Sequence, residues 1–249
     1  MIYAVVNQKG GVGKTTTSVN LAACLAATGE RVLLVDVDPQ ANATSGLGVL
    51  AADPDMARVL LDGMPLDEAV IETDIDGLDL APSSPDLAGA AVELPGRADR
   101  ETVLARALAP TAGRYRFVFL DCPPSLDLLT VNALVAADRL IVPVQCEYYA
   151  LEGLSRLMET VAAVRATRNP RLRVAGMLMT MHDPRTRVSG EVISEVRRHF
   201  ADLTFHTVIP RNVRLAEAPS HGLPVIRYDP ASSGANAYVA AAREVAQRG

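Results

Sequence analysis

The segment Asn7-Gln8-Lys9-Gly10-Gly11-Val12-Gly13-Lys14-Thr15-Thr16 is the part of this sequence best equipped for chemistry. Its three glycines let successive backbone N–H groups converge on one anion, and a helix starting at Lys14 adds the positive end of its dipole. In such a cradle Lys14 can reach the β- and γ-phosphates of a nucleotide, and the Thr15 hydroxyl can ligate Mg²⁺. The strict pattern G-x-x-x-x-G-K-[ST] is not met, because Gln8 stands where the first glycine belongs. A dinucleotide fingerprint fits less well. After Gly11-x-Gly13, Thr16 replaces the third glycine, and Gly46-x-Gly48-x-x-Ala51 follows no strand.

Lys9 and Lys14 are the only lysines among 24 basic residues; the other 22 are arginine. A compact ammonium at these two positions supplies what a planar, forked guanidinium cannot. Lys9 sits where the loop turns back, so its side chain is expected to project away from its own phosphate pocket. A nucleotide held by a second protomer is one target within its reach.

Two apolar runs end in acids. Val32–Val35 leads into Asp36-Val37-Asp38-Pro39-Gln40, and Phe117–Leu120 leads into Asp121-Cys122-Pro123-Pro124. In a parallel sheet the carboxyl ends of the strands line the ligand crevice, so these acids should face the phosphate loop. Asp121 has the setting of a carboxylate that holds Mg²⁺ through water. Asp38 can orient or deprotonate an attacking water and is a further candidate metal ligand. Asp36 and Asp38 both follow the one apolar run, and one of the two should reach the nucleotide.

The elements that must hold these groups follow from the apolar pattern. Ile2–Val6, Val32–Val35, Leu78–Ala81, Phe117–Leu120, Leu140–Val144, Val174–Met179 and Phe205–Ile209 read as strands. Most are continuously apolar, as expected for strands covered on both faces. Lys14–Thr28, Arg100–Ala109, Leu126–Ala137, Glu152–Arg168, Gly190–Phe200 and Ala235–Gln247 read as helices. The alternation implies an α/β fold with a doubly wound, mainly parallel sheet flanked by helices. Gly and Pro cluster in loops with no long linker, so residues 1–249 are expected to form one domain.

Composition narrows the class. Of 249 residues 49% are hydrophobic and 21% charged, which excludes disorder as the overall state, and aromatics are 4%, so the core is aliphatic. The longest uncharged run, Thr15 to Gly29, is 15 residues, short of the roughly 20 apolar residues of a membrane span. No secretory signal is visible, and Cys24, Cys122 and Cys146 form no C-x-x-C pair, so a reducing cytoplasm is expected. The formal charge of −5 hides a division: residues 156–227 carry 12 arginines against 6 acids, a local +6, and all four histidines. That sector is either a nucleic-acid face or a set of solvated helix faces.

Lys9–Thr16, with Asp36-Val37-Asp38-Pro39-Gln40 and Asp121-Cys122-Pro123-Pro124, resembles the deviant-Walker ATPases of the ParA/MinD group. The segments 40–48 (QANATSGLG), 143–153 (PVQCEYYALEG) and 209–220 (IPRNVRLAEAPS) narrow the resemblance to chromosomal ParA proteins of the Soj type. The likeness spans nearly the whole chain. It implies an ATP- and Mg²⁺-dependent sandwich homodimer with a weak ATPase stimulated by a ParB partner. By that resemblance Lys14 is the phosphate lysine, Thr15 the Mg²⁺ ligand and Asp121 the Walker B acid. Asp38 is the hydrolytic aspartate, and Lys9 is the signature lysine that crosses to the other protomer's ATP. Gly10, Gly11, Val12, Gly13 and Thr16 complete the loop. Pro210, Arg211 and Asn212 match the segment beside the adenine, and Glu147 matches a residue near the nucleotide at the dimer interface.

The resemblance further implies that ATP-bound dimers coat double-stranded DNA nonspecifically, in the cytoplasm and on the nucleoid. Arg185 and Arg214 match the DNA-contacting positions of the family, and Arg187, Arg211 and Arg227 are additional candidates. All lie in the +6 sector. With the first strand at Ile2, no N-terminal helix-turn-helix and no operator-specific repression are expected. A MinD-like membrane-cycling regulator is the alternative, and it requires an amphipathic C-terminal helix. The stretch from Ala235 to Gly249 is Ala-rich and is expected to pack on the sheet, leaving no membrane partner. An iron–sulfur-carrying relative would need paired interface thiolates, whereas the three cysteines read as small buried hydrophobes.

Overall fold

A computed structural model describes the backbone of residues 1–147 and 150–248, and side chains there except at residues 150–152. Tyr148, Tyr149 and Gly249, the first two from the 143–153 motif, lie outside the described residues. Among the described residues eight strands form one sheet: β1 (Ile2–Val5), β2 (Val32–Asp36), β3 (Ile71–Glu72), β4 (Leu78–Ala81), β5 (Phe117–Asp121), β6 (Arg139–Gln145), β7 (Arg173–His182) and β8 (Thr204–Pro210). Their order is β3-β4-β2-β5-β1-β6-β7-β8. All neighbours run parallel except β3, which pairs antiparallel with β4 at one edge. Seven strands match the seven apolar runs of the sequence. Strand β3 does not: with two residues, half exposed or exposed, it carries no apolar run to detect.

The strands are apolar throughout because both faces are covered. In β2, Leu33 and Val35 enter one core while Val32 and Leu34 enter the other. Helices Val103–Leu108, Leu128–Ala136, Ala150–Thr167 and Arg187–His199 correspond to four expected ones. The first includes Leu104 and Leu108, in the core that holds Leu33. On the other face lie α1 (Lys14–Ala26) and helix Ser233–Arg248, bridged by a 3.1 Å hydrogen bond between the Thr17 and Tyr238 hydroxyls. The latter helix buries Tyr238, Ala241, Ala242 and Val245 against the sheet, so its apolar side is already covered. No helix among the described residues is long and apolar enough to cross a membrane.

Apart from β3 and β4, the chain between Asp38 and Thr102 and between Asn212 and Tyr228 forms short helical turns, among them Asn42–Gly46, Val213–Glu217 and Val225–Tyr228. Turns of four or five residues give no sustained 3.6-residue period, which is why the apolar pattern does not show them. They nevertheless frame the ligand crevice. Asn20 of α1 accepts from the Val225 N–H at 2.8 Å, and Gly222 lies directly on Gly48. A Cβ on Gly222 would stand 2.6 Å from the Gly48 Cα, and Gly222 also has φ +64. Gly222→Ala is therefore expected to cost at least about 2 kcal/mol. A thermal melt should show that loss, together with weaker nucleotide binding; an unchanged melting temperature would contradict the packing described.

Candidate functional site

The loop after β1 curls because Gly11 and Gly13 adopt φ +72 and +88, a region closed to most side chains. Gly13 caps α1, and the Thr180 hydroxyl donates to the Val12 carbonyl at 2.8 Å, fastening the loop to β7. Below the loop lies a cavity of about 400 Å³ whose walls include Gly10, Gly11, Gly13, Lys14, Thr15, Thr16 and Asp38. Lys14 is buried, and its ammonium donates to the Lys9 carbonyl at 3.3 Å. Burial pulls its pKa down, while Asp121 and Asp38 oppose that shift. A glycine loop, a helix N-terminus and one ammonium side by side are chemically suited to an anion.

Asp36 and Asp121 end adjacent strands and are register partners across β2 and β5. Asp121 is fully buried and accepts from the Thr15 and Ser18 hydroxyls, both at 2.7 Å. Burial, reinforced by the charge of Asp36, pushes its carboxyl up to about 7. Asp36 accepts from the Thr44 N–H at 2.9 Å, the Thr44 hydroxyl at 2.8 Å and the Asp38 N–H at 3.1 Å. Burial raises it to about 6. Asp38 lines the cavity and Asp36 does not: Asp36 is the last residue of β2, whereas Asp38 lies in the turn beyond the strand.

Lys9 is not among the cavity walls. Its ammonium reaches outward to Glu147 at 3.1 Å, and the Glu147 carboxylate also accepts from Gln145 at 2.6 Å. Pro210, Arg211 and Asn212 line a second cavity of about 200 Å³, which shares Gly13, Thr16 and Met181 with the first. Val12 is buried within the loop. The structure thus brings together Gly10, Gly11, Gly13, Lys14, Thr15, Thr16, Asp38 and Asp121, sets Pro210–Asn212 next door, and pairs Lys9 with Glu147 outside.

The arginine candidates all come after the carboxyl ends of β7 and β8, the end of the sheet that also carries the loop. Arg185 and Arg187 follow β7, and Arg211, Arg214 and Arg227 follow β8; all five are exposed. Three are paired with acids: Arg185 with Asp183 at 2.7 Å, Arg187 with Glu191 at 3.2 Å, and Arg214 with Glu217 at 2.8 Å and Asp229 at 3.2 Å. The pairing is invisible in a charge count. Cys24, Cys122 and Cys146 are all buried, and burial pushes Cys24 up to about 12 and Cys146 to about 11.

Sequence reasoning missed Ser18, Thr44 and Met181. Ser18 was legible as the residue one helical turn after Lys14, and Thr44 as the hydroxyl within the 40–48 motif. Met181 adopts φ +54, a conformation that a methionine does not announce.

A family model for an AAA domain matches residues 1–174. The sporulation initiation inhibitor protein Soj of Bacillus subtilis is 54% identical over 250 residues, covering 100% of this chain and 99% of that protein. The chromosome partitioning protein ParA of Caulobacter vibrioides is 49% identical, covering 99% of this chain and 94% of that protein. Among solved structures, a Mycobacterium smegmatis protein described as cobyrinic acid a,c-diamide synthase with bound ADP and magnesium superposes with a TM-score of 0.85. It is 40% identical over 97% of this chain and 92% of that one.

The raised carboxyl of Asp121 gives a signed pH prediction. Asp121 and Asp36 are buried side by side and titrate together, both raised above the ordinary carboxylate range, so the ligand-free fold loses stability as pH rises above that range. Asp121→Asn removes that penalty. At pH 8 the ligand-free variant should melt about 5 °C or more above the wild type, and the gap should close as the pH falls towards 4. Scanning calorimetry across that range checks it; equal destabilisation at every pH would contradict it.

Proposed function

The chain belongs to the ParA/Soj family of chromosome-partitioning ATPases, and on that premise we propose that it is an ATP-operated DNA-segregation switch acting as one domain over residues 1–249. The observation that carries this reading is the convergence of Lys14, Thr15 and Asp38 on one glycine-walled cavity, with Asp121 hydrogen-bonded behind Thr15. The residues fit the nucleotide, since the loop, the α1 N-terminus and the Lys14 ammonium are arranged for phosphate. They fit Mg²⁺ as well, because the Thr15 hydroxyl and the Asp121 carboxylate are neighbouring oxygen donors for a hard cation. Bound Mg²⁺ would neutralise phosphate charge as hydrolysis proceeds. The ADP and magnesium of the M. smegmatis structure support the same pairing.

In this reading Lys14 holds the β- and γ-phosphates and Asp38 orients the attacking water. Pro210, Arg211 and Asn212 receive the adenine from the second cavity. Lys9 leaves Glu147 and reaches the nucleotide of a second protomer, which makes ATP the glue of a sandwich homodimer. Dimerisation doubles the basic face of Arg185, Arg187, Arg214 and Arg227, and the doubled face holds double-stranded DNA without sequence preference, on the nucleoid of the cytoplasm. Phosphate contacts of this kind add up charge by charge, so two faces bind far more tightly than one. Hydrolysis is slow until a ParB-type partner stimulates it, and it releases the DNA.

Light scattering and phosphate release test the active-site roles. Lys14→Ala should abolish ATP-dependent dimerisation. Asp38→Ala should keep the ATP-bound dimer while slowing turnover about 100-fold or more. Wild-type hydrolysis by both variants would show that the roles are misassigned.

A further inference from the structure

The two cavities beside α1 share three lining residues, of which Met181 has the largest side chain. Gly13, Thr16 and Met181 line both, so a ligand with phosphates at the glycine loop and a base at Pro210–Asn212 must pass Met181. The way Met181 is held is unusual. It lies one residue before the end of β7 with φ +54, a left-handed conformation that costs a non-glycine residue on the order of 1 kcal/mol or more. Strand pairing shifts at this point: β7 pairs with β6 up to Thr180, and the β7–β8 register slips between Met179 and His182. Such irregularities re-aim side chains beside functional sites.

Contacts on both sides keep the residue in place. On one side, the Thr180 carbonyl accepts from the Cys146 N–H at 3.1 Å, and the Thr180 hydroxyl donates to Val12 at 2.8 Å. On the other, the His182 carbonyl accepts from the Arg211 N–H at 2.9 Å. The chain is thus tied to the phosphate loop before Met181 and to the Pro210–Asn212 segment after it. The Met181 methyl lies 4.0 Å from where a Cβ on Gly13 would stand, so the side chain rests against the loop itself.

We propose that Met181 is a positioning residue for the nucleoside half of the nucleotide, its thioether packing on the sugar and base where they leave the phosphate loop. This rests on the reading of the loop as an ATP site. A flexible, polarisable thioether suits an aromatic base edge, and the contact is worth up to about tenfold in affinity. The strained backbone keeps the side chain at the junction of the cavities instead of letting it follow the strand's pleat.

Met181→Ala and Met181→Gly test this, the first removing the thioether and the second also relieving the backbone. Binding of ATP and of inorganic tripolyphosphate is measured for each with Mg²⁺ present. Both variants should bind ATP about tenfold more weakly and tripolyphosphate as well as the wild type does, with Met181→Gly no less thermostable than Met181→Ala. Equal weakening for the two ligands would assign Met181 to shaping the loop, and no weakening for either would leave it without a role; each result overturns the inference. If the wild type binds tripolyphosphate no better than Lys14→Ala does, the ATP-site reading itself fails, together with the inference built on it.

Discussion

Three carboxylates crowd the carboxyl ends of β2 and β5, and the arrangement of the rest follows from what it takes to keep them there. Asp36 and Asp121 are neighbours in the sheet, both out of water, with Asp38 two residues on. Buried like charges cannot all ionise without compensation. The compensation is visible. Asp36 takes three hydrogen bonds from Thr44 and the Asp38 backbone, Asp121 takes two hydroxyls from α1, and the Lys14 ammonium is held nearby at some cost to its own charge. Burial, with the charge of each neighbour added, still raises the carboxyls of Asp36 and Asp121.

That constraint ties the crevice to elements that look peripheral. Thr44, which serves Asp36, sits in the turn Asn42–Gly46, and its hydroxyl also accepts from the Ser83 N–H after β4. The same turn leads to Gly48, pressed against Gly222, and the chain around Gly222 connects Arg214 to Arg227. A short chain of contacts therefore runs from the strand-end carboxylates to the arginines of the basic sector. Those arginines are not bare charges. Arg185, Arg187 and Arg214 each rest on at least one carboxylate, so a polyanion must compete with Asp183, Glu191, Glu217 and Asp229 before it gains anything. Exposed pairs of this kind are individually weak, about 0.2–1 kcal/mol, and many phosphates presented together can displace them.

Much of this was legible in the sequence because the decisive signals are local. Seven strands declare themselves through aliphatic runs buried on both faces, the loop through its glycines and Lys14, and the acids through their position after β2 and β5. The resemblance to ParA proteins of the Soj type rests on those same residues, and the relatives from Bacillus subtilis and Caulobacter vibrioides agree with it. What stayed hidden depends on three-dimensional proximity. β3 is too short to carry a pattern. The turns between Asp38 and Thr102 have no helical period. The Lys9–Glu147 contact joins residues 138 positions apart. Met181 is set by the ties on either side of it, and no property of a methionine foretells a left-handed backbone.

The proposed switch requires that nucleotide state govern whether the basic sector holds DNA. Fluorescence anisotropy of a random-sequence duplex, with ATP–Mg²⁺ or with ADP at two salt concentrations, measures that directly. Binding should be tight with ATP alone and should weaken steeply as salt rises, because phosphate contacts release counterions. Binding of equal strength in both nucleotide states, or in neither, would contradict it.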